Sequence, residues 1–128
     1  MANIIEIIDM LDWNKEPEIQ SKGRELAKQI SDIKPFLQPI TQMHNKNVWD
    51  NCAIIISERC DEALKPYLVE LLEWLQDMNW PGAFCIFDRI KKYTDKNSFY
   101  IAFNLCVEKA KENADEIWEY NLKKLIED

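Results

Sequence analysis

Residues 71–83 read LLEWLQDMNWPGA, and the reading of this stretch decides the fold. Leu71, Leu72 and Leu75 continue a series begun by Leu64, Tyr67 and Leu68. The spacing i, i+3, i+4, i+7, i+8, i+11 puts all six on one stripe of a helix. Lys65, Glu70 and Glu73 point elsewhere, and Pro66 fits a first turn, where no intrahelical donor is lost. After the stretch, Ala83, Ile86, Phe87 and Ile90 form a second helical stripe. Between the stripes lies turn chemistry. Asn79 is placed to cap the second helix, and Pro81 fits its first turn. Asp77 precedes a helix N-terminus, where negative charge is favoured by about 0.3–1 kcal/mol. Gly82 permits close helix approach, and Trp80 can fold back as a hydrophobic staple. The stretch predicts two helices joined by a tight turn.

The same periodicity extends outward. It predicts helices over 3–12, 16–31, 34–43, 46–59, 62–76, 80–93, 97–112 and 114–126. The second carries Pro17 near its start with Asn14 as its cap, and the third is bent near Pro39. Asp61, Asn79 and Asn97 stand at expected N-cap positions. Only two glycines, Gly23 and Gly82, occur in the chain; strand-rich folds consume more in their turns, so the expectation is an all-α single domain. The helix over 46–59 carries CAIII and is apolar nearly all round, which predicts a central, deeply buried element. The eight helices fall into four pairs. Ile19, Val48, Gly82 and Ile117 open the second helices, and eight residues on from each stand Ala27, Ile56, Ile90 and Leu125. The openings are 29, 34 and 35 residues apart, a period that marks a helical solenoid.

The net charge is −7. Lysine and arginine supply most nucleic-acid affinity by neutralising phosphate, so the expected partner is a basic protein rather than DNA or RNA. Acidic residues interrupt the apolar N-terminus MANIIEIIDMLDW, which does not resemble a signal peptide. No apolar run approaches the roughly 20 residues of a membrane span. Cys52, Cys60, Cys85 and Cys106 form no C-x-x-C pair. Cys52, Cys85 and Cys106 read as small buried side chains, and Cys60 as a free thiol at a helix end. A monomeric cytoplasmic protein is expected, without membrane association, metal or cofactor.

Candidate binding residues are Trp74, which lies off the centre of the leucine stripe, and Trp80, edged by Glu73 and Asp77. Exposed tryptophan beside charge is typical of binding hot spots. In HNKNVWDN, residues 44–51, the lone His44 has no nucleophile motif beside it. Trp49 matches Trp118 at the opening of a later helix, which favours packing. Asp50 and Asn51 are placed nearer solvent, and Asp50 joins the candidate set. The acidic stretch ENADEIWEY, residues 112–120, fits a solvated cap around a helix start and can extend an acidic face. No catalytic residue is identified.

The segment 64–93, LKPYLVELLEWLQDMNWPGAFCIFDRIKKY, is similar to a HEAT-type repeat, and residues 4–30 resemble a more divergent copy. The resemblance implies a right-handed solenoid of four helix pairs with an extended binding face. Residues 64–83 also resemble the signature of a bacterial family of unknown function that carries an LLEWLQDxNWP core; some members are thought to be immunity proteins that neutralise a co-encoded toxin. This implies a protein-binding module that occludes a basic toxin domain. It brings no catalytic residue and carries over only Trp74, Leu75, Gln76, Asp77, Asn79, Trp80 and Pro81. The rival expectations are a nucleic-acid enzyme on a HEAT-like scaffold, which needs a basic concave groove, and a scaffold subunit of a larger assembly.

Overall fold

Asn3 opens the described chain: its side chain accepts the Glu6 N–H at 2.9 Å and caps α1 (Ile4–Met10). The computed structural model describes residues 3–38 and 45–127. After α1 come α2 (Pro17–Ala27), a 3-10 turn at Lys34–Phe36, and a second at Lys46–Val48 that runs into α3 (Trp49–Ser57). Then follow α4 (Asp61–Leu64), α5 (Leu68–Glu73), α6 (Ala83–Lys91), α7 (Lys96–Glu112) and α8 (Glu116–Lys124). Among the described residues there is no strand, so the fold is all-α. Of the helix expected over 34–43, only a 3-10 turn at Lys34–Phe36 is seen before residue 39; the expected bend at Pro39, residues 40–43 and His44 lie outside the described residues.

Several local expectations are corrected. The helix expected over 62–76 is broken into α4 and α5 with a 3-10 turn after each, and the first break comes because Pro66 stands beyond the first turn. Proline there has no N–H for the ladder, and its ring crowds the carbonyl four residues back. The chain tightens into a 3-10 turn at Lys65–Tyr67 and again at Trp74–Gln76. Asn14 does not cap α2; the Gln20 amide instead donates to the carbonyls of Trp13 and Lys15, at 3.2 and 2.7 Å. Asp95, not Asn97, caps α7 through the Ser98 N–H. Asn79 is exposed and Pro81 precedes the helix, because α6 begins only at Ala83 with Gly82 as its N-cap residue. Asn51 is buried rather than solvent-facing. Its amide donates to the Leu11 carbonyl at 2.7 Å and to Gln20 Oε1, and its oxygen accepts from Arg24.

Buried apolar residues come from every helix, with α3 as the most enclosed. Val48, Trp49, Cys52, Ala53, Ile55 and Ile56 are buried, as the CAIII pattern predicts, but Ile54 of the same motif is 37% exposed. Helix α1 packs on α2, where Gly23 leaves room for Met10 and Leu11. Two rows follow from the remaining contacts: α2, α3 and α6 lie side by side, and α5 lies on α7, which pairs with α8.

Side chains tie helices to their neighbours through helix-end carbonyls, which have no partner within their own helix. Arg59, just past α3, donates to the Ala27 carbonyl at the end of α2 at 2.8 Å. Thirty residues on, Arg89 in the last turn of α6 donates to the Arg59 carbonyl at 2.9 Å. Lys91 reaches the Glu127 carbonyl beyond α8. In α8, Trp118 Nε1 donates to the Leu72 carbonyl and Asn121 Nδ2 to that of Leu75, at 3.1 and 2.8 Å.

Among the described residues, two backbone positions have positive φ. Gly82 has φ +84, and a Cβ there would stand 2.7 Å from Ala53 Cβ, 2.9 Å from the Trp49 carbonyl oxygen and 3.1 Å from the Trp74 ring. Ala114 has φ 54 and closes α7, its N–H bonded to the Lys111 carbonyl. This is a glycine's place, since a Cβ costs about 1 kcal/mol in the left-handed region. The two positions predict opposite outcomes. Gly82→Ala is expected to lower stability by about 2–4 kcal/mol, combining the left-handed cost with overpacking. Ala114→Gly is expected to raise it by about 0.5–1 kcal/mol. Urea unfolding of both variants, read as midpoint shifts at constant slope, checks the pair.

Candidate functional site

The stretch 71–83 builds a tryptophan joint. Trp74 is 0% exposed, and its indole N–H donates to the Pro81 carbonyl at 3.0 Å. Trp49 meets Trp74 edge to face at 6.3 Å between ring centroids and Trp80 at 5.7 Å. Trp74 is therefore corrected from a partner contact to a core side chain: it has no surface to offer, and its one polar atom is committed to the turn. Trp80 is half-buried against Trp49. Asp77 accepts the Asn79 N–H at 2.8 Å and shapes the turn rather than the α6 terminus. Glu73 is paired with Lys109 of α7 at 2.9 Å. Of the candidate set, Asp50 alone is fully exposed with no ion-pair partner among the described residues. Trp49 and Trp118 are both buried, as their matching positions predict. In the acidic stretch, Asp115 caps α8 through the Trp118 N–H and Glu119 pairs with Lys123, the role expected of a helix start.

The exposed aromatic belongs to the next turn of chain. Phe84 is 68% exposed on α6, and Tyr120 is 61% exposed on α8. With Met78 and Phe87 they line a groove of about 510 Å³ between α6 and α8, edged by Asp88, Lys91, Lys124 and Glu127. A second depression of about 560 Å³ lies on the other side of α6, lined by Ser57, Cys60, Asp61, Cys85, Asp88, Arg89, Lys92 and Thr94. Asp88 borders both, so they form one surface across α3, α6 and α8. Asp50, Ile54 and Glu58 extend it along one exposed stripe of α3. A sequence signal for Phe84 existed: it falls outside the stripe of Ala83, Ile86, Phe87 and Ile90, one step round the helix. The conspicuous tryptophans drew attention to the buried side of the turn instead.

Charge divides this surface. Around the α3–α6 depression, the carboxylates of Asp50, Glu58, Asp61 and Asp88 face two cations, Arg89 and Lys92. Asp61 and Arg89 form an ion pair at 2.7 Å. The Thr94 hydroxyl and amide also donate to Asp61, and these bonds with the Arg89 guanidinium hold its carboxyl down at about 2. Asp61, expected as an N-cap, thus ties α4 to the end of α6. Asp50, Glu58 and Asp88 have no ion-pair partner among the described residues. Around the α6–α8 groove the balance is even: Lys124 pairs with Glu127, and Lys91 lies over the Phe87 ring. Among the described residues no cluster of three or more His, Cys, Asp or Glu is placed to hold a metal ion. No helix of the described residues is long and apolar enough to cross a membrane.

Burial pushes the Cys52 and Cys106 thiols up to about 12. Cys85 is half-buried rather than core; burial, then the nearby Asp88, Asp50 and Glu58 charges, raise its thiol too. Cys60 is exposed, as expected of a free thiol. Iodoacetamide at pH 8 is therefore expected to label Cys60 first and Cys52 and Cys106 only on unfolding, as mass spectrometry of timed samples would show. For Asp61, the folded carboxyl titrates near 2 against an ordinary 3.8. Its contribution to stability is full above the ordinary value and is lost as pH falls through the folded one. Asp61→Asn is expected to be less stable than the parent at neutral pH, with the difference closing below about pH 4. Denaturant midpoints across an acid series check this.

Comparisons with curated proteins and with solved structures each give no significant match. A family model described as Domain of unknown function (DUF5071) matches residues 43–128. The matched span contains the tryptophan joint and the whole α3–α6–α8 surface, and leaves α1 and α2 outside it. It covers more than half of the chain, which therefore belongs to the DUF5071 family.

Proposed function

We propose that this chain is a small, non-enzymatic protein-binding module with HEAT-like stacking, and that it acts as an immunity protein, occluding the active site or substrate channel of a basic toxin. The observation that carries this reading is the surface across α3, α6 and α8, where exposed Phe84 and Tyr120 share a surface with Asp50, Glu58 and Asp88, carboxylates that have no ion-pair partner among the described residues. An apolar anchor ringed by charge suits a desolvated contact with an oppositely charged partner. The side-by-side α2, α3 and α6, and the carbonyl ties repeated at Arg59 and Arg89, support stacked helix pairs. Solenoids of this kind present their second helices as an extended binding surface. A monomer in the cytoplasm, encountering its partner quickly and in a salt-sensitive way, completes the reading.

Affinity capture from native lysate tests it, with elution by a salt gradient. The expected result is one basic protein, released only at high salt and lost with an Asp50→Lys, Asp88→Lys bait. Expressed alone, that protein is expected to arrest growth, and co-expression of this chain is expected to restore it. Recovery of nucleic acid, or of a large assembly indifferent to both substitutions, would overturn the proposal.

A further inference from the structure

We infer that the occupant of this surface is a basic amphipathic helix of the partner, seated with its apolar stripe in the α6–α8 groove and its cations over the α3–α6 depression. The inference rests on the protein-binding reading and deepens it. Three features of the surface specify the occupant.

The first is where the apolar surface lies. Phe84, Phe87, Met78 and Tyr120 line only the α6–α8 side, and Ile117, 68% exposed at the start of α8, prolongs that side. A groove between two helices with aromatic walls takes bulky side chains spaced i, i+3 or i+4 on a third.

The second is where unspent charge lies. In the groove, Lys124 is neutralised by Glu127, and Lys91 donates to the Glu127 carbonyl while lying over Phe87. In the neighbouring depression, Arg89 is consumed by Asp61, which leaves Lys92, and Lys28 beside Glu58, against Asp50, Glu58 and Asp88. The remaining attraction is for cations, and it is confined to the α3 side.

The third is continuity. Asp88 borders both depressions, so the apolar and acidic halves meet along α6. An occupant that satisfies both must carry its basic residues on the flank next to its apolar stripe. The cations and anchors of one amphipathic helix have that arrangement.

The other apolar groove, between α5 and α7, is lined by Leu68, Val69, Ile101 and Leu105. Beside it Glu73 is paired with Lys109 and Asp95 with Lys65, while Glu70 on α5 and Glu108 on α7 have no ion-pair partner among the described residues. It serves as the internal control.

Two synthetic helical peptides with the same leucine and tryptophan stripe supply the test, one with lysine and arginine beside the stripe and one with glutamate. Each is titrated into the full-length isotope-labelled chain and followed by amide chemical shifts. The expected result is that the basic peptide perturbs α3, α6 and α8 and binds at least about tenfold more tightly than the acidic one, with the preference fading in high salt. Phe84→Ala is expected to weaken it about tenfold or more. Asp88→Lys is expected to erase the preference, and Ile101→Asp on α7 to change nothing. All three side chains are exposed, so loss of fold does not confuse the outcome. Equal binding of the two peptides, or shifts confined to α5 and α7, would overturn the inference. So would self-association of the free chain that Phe84→Asp abolishes, because a second copy would then be the occupant. Capture of the lysate partner that survives Phe84→Ala removes this groove and leaves the protein-binding reading standing. Peptide selectivity without any growth-arresting partner supports the groove and removes the immunity reading.

Discussion

The approach of Gly82 to Ala53 and Trp49 is the constraint on which the rest of the structure depends. With φ +84 and no side chain, Gly82 lets the chain turn directly over α3, so that Trp74 and Trp49 close edge to face beneath it. The indole N–H of Trp74 then fixes the turn by bonding the Pro81 carbonyl. Each feature requires the others. A side chain at 82 would enter the space of Ala53, and a smaller residue at 74 would leave both a void and an unbonded carbonyl. The joint fixes the direction in which α6 leaves the turn, and with it which residues of α6 reach solvent.

That coupling explains why the candidate surface sits where it does. Phe84 is exposed because Ala83 and Ile86 must face the joint, and one step round the helix from them is open. Tyr120 faces the same groove because Trp118 and Asn121, its neighbours on α8, are held by the carbonyls of Leu72 in α5 and Leu75 in the 3-10 turn after it. The surface is thus composed of side chains that the core bonds leave over, on helices whose rotation those bonds set.

Much of this was legible in the sequence. Scarce glycine and the leucine stripe at 64–75 were enough for an all-α fold and for helices on either side of 77–82. The burial of α3 followed from CAIII, and the packing role of Trp49 and Trp118 from their matching positions. Boundaries failed where a side chain chose a distant partner over a local one. Asp61 serves Arg89 and Thr94 rather than capping its own helix, and Asn51 serves Leu11 and Arg24 across two helix contacts. Periodicity carries no information about such contacts. The candidate site was misplaced for a related reason. Tryptophan beside acidic residues is the pattern of a hot spot and equally that of a packed turn, and the choice between them depends on one indole N–H and a carbonyl seven residues away.

The carbonyl ties give the molecule a grain. Arg59 reaches back to the end of α2 and Arg89 back to the end of α3, each from the later helix to the earlier. These two bonds point one way along α2, α3 and α6, while Lys91 points the other way, to the Glu127 carbonyl beyond α8. Peeling from the α8 end bares the Leu72 and Leu75 carbonyls, which are acceptors that water readily replaces. Peeling from the α1 end instead strands the guanidinium of Arg59 and the amide of Asn51 in part-buried places, with their acceptors gone. Opening the two ends therefore leaves different groups unbonded, the Arg59 and Asn51 donors at one and the Lys91 ammonium with the Leu72 and Leu75 carbonyls at the other.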